Sequence, residues 1–172
     1  PGCDPLTGVE MRSTGEAGCI SESFDQALLA VMEAAHIPIP KKGVLICSFS
    51  DGSHWGSMGT CDQLRNLEFP ILASPQTVPA LRKMGLNITE VEWSKQVDHA
   101  SDLVRQGKVD LLIQIPDREN PGQVQMEKAL RQLALSRQMP VITDIRKAIF
   151  FLRAIGRTRT EGLASQVIEL SS

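Results

Sequence analysis

The sequence predicts an α/β domain of three layers, with a five-stranded parallel sheet flanked by helices. Two observations carry this. Between residues 43 and 156, five short apolar runs rich in Val, Ile and Leu alternate with amphipathic stretches. The links between them are short and place Gly, Pro, Ser or Asp where elements should end. One run, Val109–Ile115, is apolar with β-branched ends, the pattern of a central strand buried on both faces.

Residues 1–20 are rich in Gly, Thr, Ser and Glu without a sustained period, and read as a tail or linker. The first helix starts after a Ser21 or Ser23 cap. Phe24, Ala27, Leu28, Val31 and Met32 fall at helical spacing, and the pattern runs to about Ala35. Ile37-Pro38-Ile39-Pro40 then imposes an extended connection. Val44–Phe49 is a strand. Ser57–Leu67 is helical, with Met58, Cys61, Leu64 and Leu67 on one face. Pro70–Ala73 is a second strand and Thr77–Met84 a short helix, with Pro79 tolerated in its first turn and Gly85 ending it. Ile88–Trp93 is a third strand, and Asp98–Gln106 a helix closed by Gly107. After Val109–Ile115, Pro116–Gly122 reads as a polar loop. Gln123–Gln138 is a long helix with Val124, Ala129, Leu130, Leu133 and Leu135 as its apolar residues. Pro140–Thr143 is the fifth strand. Asp144 caps a last helix through Ile155, which Gly156 should stop. The domain is thus expected over 21–156, with a polar C-terminal tail at 157–172.

Composition narrows the function classes. The 172 residues are 42% hydrophobic and 22% charged, as in ordinary globular proteins. A formal net charge of −2 offers no electrostatic case for nucleic acid. Two Trp, five Phe and no Tyr leave too few aromatic rings for a base-stacking platform. No apolar run approaches the ~20 residues of a membrane span, and no signal peptide is visible. Cys3, Cys19, Cys47 and Cys61 form no C-x-x-C pair, and no histidines stand at metal spacing. They read as free thiols of an intracellular protein. The chain begins with Pro, as expected of a piece cut from a longer chain or of a processed product.

In parallel α/β sheets ligands bind beyond the C-terminal strand ends, where helix N-termini point. Four groups of residues fall there. Ser74 and Thr77 lie three apart between the second strand and its helix, and their hydroxyls can hold a phosphate or carboxylate oxygen; alternatively, one of them simply caps the helix. The turn has no glycine for close phosphate approach. Trp93 can wall a pocket, or pack under the neighbouring loop. Gln114 can orient a ligand through its amide, or tie down the loop Asp117-Arg118-Glu119-Asn120. Asp51 and His54 suit a general base, but Ser50–Gly59 is rich in Gly and Ser and reads as an exposed loop. There is no nucleophile-elbow pattern.

Two stretches carry a family resemblance. Val9-Glu10-Met11-Arg12-Ser13-Thr14-Gly15-Glu16, with Asp4-Pro5 before it, resembles the end of the second ATP-grasp unit of carbamoyl phosphate synthetases. Residues from about 20 to 156 resemble the methylglyoxal-synthase-like domain that follows that unit. The likeness is carried by Pro40–Leu45, Leu72–Ser74, Val91–Trp93, Gly107–Ile113 and Pro140–Thr143. The resemblance implies a Rossmann-like regulatory domain that binds a small-molecule allosteric effector and answers to the ATP-grasp domains of the same chain. It implies no cofactor in this domain; ATP and magnesium belong to the parent enzyme, which makes carbamoyl phosphate from bicarbonate, an ammonia source and ATP. The family's effectors are uridine nucleotides and phosphoribosyl pyrophosphate in pyrimidine-pathway members and N-acetyl-L-glutamate in the urea-cycle type. A mitochondrial matrix location goes with the latter and a cytoplasmic one with the former.

Carried over by position, the effector set is Ser74, Thr77, Trp93, Gln114, Asp117 and His54. Gln76 stands where nucleotide sensors have Gly, and His54 and Trp93 stand near lysine positions of bacterial members. Gln114-Ile115-Pro116-Asp117 has the Ile-Pro form of the acetylglutamate type with both amide positions changed, and Asp117 would repel a dicarboxylate. Against that repulsion, the Ile-Pro form and the three missing phosphate-favouring features at positions 54, 76 and 93 lean toward an acetylglutamate-like pocket. Methylglyoxal synthase itself needs a Gly/Thr-rich phosphate loop and catalytic aspartates, neither of which is present. A relic pocket in a module that holds domains or subunits together, through the exposed helix faces and residues 157–172, is the remaining alternative.

Overall fold

A computed structural model describes residues 18–47, 67–94, 97–116 and 121–160. The strands are β1 (Val44–Cys47), β2 (Ile71–Ala73), β3 (Ile88–Glu90), β4 (Leu111–Gln114) and β5 (Val141–Ile142). The helices are α1 (Phe24–Ala34), α2 (Val78–Lys83), α3 (His99–Arg105), α4 (Pro121–Ser136) and α5 (Ile145–Thr160). All strand pairs are parallel, in the order β3-β2-β1-β4-β5. The fold class read from sequence is therefore the one observed. The helix expected over 57–67 lies almost wholly outside the described residues. Among the described residues no helix is long and apolar enough to cross a membrane.

Alternation along the strands divides the core in two. Val44, Ile46, Ala73, Ile113 and Ile142 face a layer that contains Leu29, Leu81 and Leu152 of α1, α2 and α5. Leu45, Cys47, Leu112 and Val141 face Val104 of α3 and Leu130 and Ala134 of α4. β1 and β4 are buried at every residue, which is why their sequences are continuously apolar up to Gln114. Each fully buried Leu or Ile contributes about 1.5–3 kcal/mol.

The helix starts follow the expected chemistry. Ser23 accepts from Gln26 N at 3.2 Å, Asp98 from Ser101 N at 3.0 Å, and Asp144 from Lys147 N at 2.8 Å. α1 to α4 all end on a left-handed residue: His36, Gly85, Gly107 and Gln138. The next residue's N–H then reaches back to the carbonyl of Met32, Leu81, Leu103 and Ala134 respectively, the six-to-one Schellman closure.

Three expectations are corrected. Gly156 does not stop α5, which continues to Thr160. Ile155 and Gly156 are buried, and Arg157 pairs with Asp25 of α1 at 2.8 Å, so contacts on both sides of the glycine hold the helix. The tail placed at 157–172 therefore begins inside a helix. α4 starts at Pro121, not Gln123, because proline fits the first turn. Its buried stripe is Glu127, Leu130 and Ala134, whereas Val124, Ala129 and Leu135 are exposed.

Candidate functional site

The sheet reverses its direction of growth between β1 and β4. From β1 the order runs outward to β2 and β3 on one side, and to β4 and β5 on the other. α2 packs on one face, and α3 and α4 on the opposite one. The crevice beyond the C-terminal ends of β1 and β4 is thus the topological switch point, where such sheets take ligands.

Three side chains stand at this level. Cys47 is in register with Gln114. Ser74, one residue past β2, donates its N–H to Ile46 O at 3.0 Å. Since β1 separates β2 from β4, Ser74 and Gln114 lie two strand spacings apart, roughly 10 Å.

Ser74 and Thr77 are hydrogen-bonded to each other. Thr77 Oγ1 donates to Ser74 O at 2.9 Å and therefore accepts from Ser74 Oγ at 3.2 Å. Ser74 O also receives the N–H groups of Thr77 and Val78, at 3.0 and 3.3 Å. Thr77 occupies the N-cap position of α2, but its hydroxyl makes no capping bond. The simple alternative, a Thr77 cap, is corrected: the hydroxyl turns back onto the β2–α2 turn. Both residues are fully buried.

Trp93 is 1% exposed and belongs to the core between the sheet and α3/α4. Its backbone bridges to Asp98, just past the end of β3. His54 and Asp117 lie outside the described residues.

Gln114 is fully buried at the end of β4. Its Oε1 accepts from Arg131 Nε of α4 at 2.9 Å. Its Nε2 has no hydrogen-bond partner among the described residues. Glu127, one turn before Arg131, is 1% exposed. Neither α4 residue was among those expected from the sequence. The available signal was position: Glu127 lies three before Leu130 and seven before Ala134, on the buried stripe, and a charge there calls for an explanation.

Burial pushes the Cys47 thiol well above its ordinary pKa, and the carboxylates of Asp98 and Glu127 raise it further, while the Ser74 backbone N–H works the other way. Cys47 is thus a neutral, inert thiol in the folded protein. The unfolded thiol, at about 8.5, loses its proton first as pH rises. Stability from this group is therefore complete below about pH 8.5 and declines above it, by at most about 1.4 kcal/mol per pH unit. Two results are expected. Iodoacetamide should spare Cys47 until the protein unfolds, and Cys47→Ala should flatten the fall of the urea midpoint between pH 8.5 and 10. Rapid native-state alkylation mapped to Cys47 would refute this placement.

A separate cavity of about 380 Å³ lies at the β3 edge against α3, lined in part by Leu72, Val91, Leu103, Glu90, Glu92 and His99. It includes none of the residues expected from sequence.

Comparison with known proteins agrees with the resemblance carried by the motifs. The model of the MGS-like domain matches residues 57–143, half of the chain. The chain is 32% identical over 158 residues to the carbamoyl phosphate synthase large chain of Gemmatimonas aurantiaca, covering 91% of this chain and 14% of that protein. It is 29% identical over 162 residues to the mitochondrial carbamoyl-phosphate synthase (ammonia) of Homo sapiens, covering 91% and 11%. It is 31% identical over 167 residues to the carbamoyl phosphate synthase large chain, C-terminal section, of Methanopyrus kandleri, covering 95% and 30%. The chain therefore spans less than a third of the length of each of these relatives.

Proposed function

The chain belongs to the MGS-like domain family, and from that premise we propose that it is the effector-binding regulatory domain of a carbamoyl phosphate synthase large chain. The observation that carries this reading is Gln114. A buried amide, its oxygen held by Arg131 and its nitrogen without a partner among the described residues, sits at the switch-point crevice of a doubly wound sheet. In this reading Ser74 and Thr77 meet one polar end of a small effector and Gln114 the other, about two strand spacings away. His54 and Asp117 complete the effector set, and Trp93 braces the site from the core beneath. The domain itself carries no catalytic residue. The ATP-grasp domains of a longer chain supply the synthase chemistry, with ATP and magnesium.

The effector we favour is N-acetyl-L-glutamate, on the Ile115-Pro116 form and the missing phosphate-loop glycine at Gln76. Its binding would bias a pre-existing equilibrium of the parent enzyme. Typical coupling is about 1–3 kcal/mol, or roughly 5- to 150-fold in apparent affinity. An enzyme of this type would reside in the mitochondrial matrix; a nucleotide-sensing one would be cytoplasmic.

A specific observation supports a second reading. Ser74, Thr77 and Gln114 are each fully buried, as expected of a relic pocket in an interaction module. Isothermal titration of the chain with N-acetyl-L-glutamate, UMP, UTP and phosphoribosyl pyrophosphate separates the two. Saturable binding of one, lost in Thr77→Ala, is the expected result. Silence from all four, or full binding by Thr77→Ala, would overturn respectively the regulatory reading or this placement of the site.

A further inference from the structure

We propose that Arg131 is a positioning residue: it locks Gln114 as a hydrogen-bond donor, so that the switch-point site takes its ligand by an acceptor oxygen. This rests on the regulatory reading above and adds the polarity of the site and the residue that sets it.

A guanidinium carries five N–H donors and no acceptor. The Gln114 atom 2.9 Å from Arg131 Nε must therefore be the oxygen. The amide nitrogen is forced to the other side, and both its N–H groups point away from Arg131. An amide bound only through water could turn over and present either end. With Arg131 in place, presenting the oxygen would set two donors against each other.

Location supplies the rest. Gln114 closes β4 in register with Cys47, at the strand pair where the sheet reverses. Nε2 is buried and without a partner among the described residues, and an unsatisfied buried donor is costly unless something occasionally satisfies it. Arg131 is only partly buried, on the side of α4 that faces β4. Its Nε–H donates to the amide oxygen and so fixes the amide in one orientation.

The test uses two variants for binding and a third, with the parent, for a ligand-free measurement. Gln114→Glu keeps an oxygen facing Arg131 but replaces the donor with a second acceptor. At pH 8 it should melt within a few degrees of the parent. It should bind whichever of N-acetyl-L-glutamate or UMP the parent binds at least about tenfold more weakly, the usual worth of a hydrogen bond to a charged group. Arg131→Met, which removes the donor and keeps most of the apolar stem, should weaken the same binding, and the Gln114 side-chain amide signals that move on ligand addition in the parent should broaden or stay put. Binding by Gln114→Glu within twofold of the parent would overturn the proposal. Without ligand, proton exchange at Arg131 Nε should be slow in the parent and fast in Gln114→Leu; fast exchange in the parent would overturn the orientation. If neither of these probes binds the parent, and UTP and phosphoribosyl pyrophosphate do not either, the regulatory reading falls and takes the ligand half of this proposal with it, while Nε exchange still decides whether Gln114 is held.

Discussion

Replacing Trp93 with Ala is expected to lower the unfolding free energy by about 3–5 kcal/mol. The side chain is 1% exposed and among the largest fully buried groups. It packs in the core that also contains Val91, Ala100, Val104, Leu112 and Leu130, between the sheet and α3/α4. An indole of this kind buries roughly 150–250 Å². Its loss leaves a cavity that β3 and the short helix α3 cannot collapse to fill, because both are fixed by ladder bonds and by the Asp98 cap. Trp93→Phe keeps most of the apolar volume and should cost markedly less, about 1–2 kcal/mol. Urea unfolding of the two variants checks this. A Trp93→Ala midpoint equal to that of the parent would mean that the indole contributes no core packing, and would return it to the role of a free pocket wall.

Trp93 also shows what could be read from the sequence. Its place near the C-terminal edge of the sheet was legible, because Ile88, Val91 and Trp93 fall in a stretch bounded by turn signals, but the strand expected to end on Trp93 stops at Glu90. Whether its ring faced a ligand or the core was not, since that depends on which helix covers the strand end. The same limit applies to α4. Apolar identity nominated Val124 and Leu135, yet both lie off the buried stripe, while Glu127 and Arg131 lie on or beside it. Charged residues are discounted as core, so a stripe that includes Glu127 reads as broken. The helix ends make the point from the opposite direction. Gly85 and Gly107 announced their left-handed turns, whereas His36 and Gln138 adopt the same conformation without a glycine. Those two were hidden because tertiary closure, through Ile37 and Met139 in the core, outweighs the backbone preference. The parallel sheet, by contrast, was fully legible: runs buried on both faces leave few other architectures.

The opposite end of the sheet should behave in the reverse way to the candidate site. Asp110 lies just before β4, and its carboxylate accepts from three consecutive backbone N–H groups leading into β1: Lys41 at 2.8 Å, Lys42 at 2.9 Å and Gly43 at 3.1 Å. Its own N–H donates to Gly43 O at 3.0 Å. This clasp sets the register between the two central strands where they enter the sheet. It also holds Gly43 against β2, where an added Cβ would come within 3.1 Å of Pro70 O. Bonds to a charged acceptor are worth about 1.5–3 kcal/mol when buried, but the Lys41 and Lys42 amides are exposed and can turn to water. Asp110→Ala is therefore expected to cost about 2–4 kcal/mol in total rather than the full sum. Asp110→Asn, which keeps one acceptor oxygen, should cost roughly half as much. Because the clasp is at the N-terminal edge and Ser74, Cys47 and Gln114 are at the C-terminal edge, the folded Asp110→Ala domain should bind, with the parent's affinity, whichever of the four proposed effectors the parent binds. Urea midpoints and titrations on the same preparation give both numbers. A midpoint shift below about 0.5 kcal/mol, the scatter of ordinary surface changes, would mean that water replaces the clasp. A loss of binding in a fully folded variant would mean that register errors propagate along β1 and β4 to the switch point, and that the two edges are not independent.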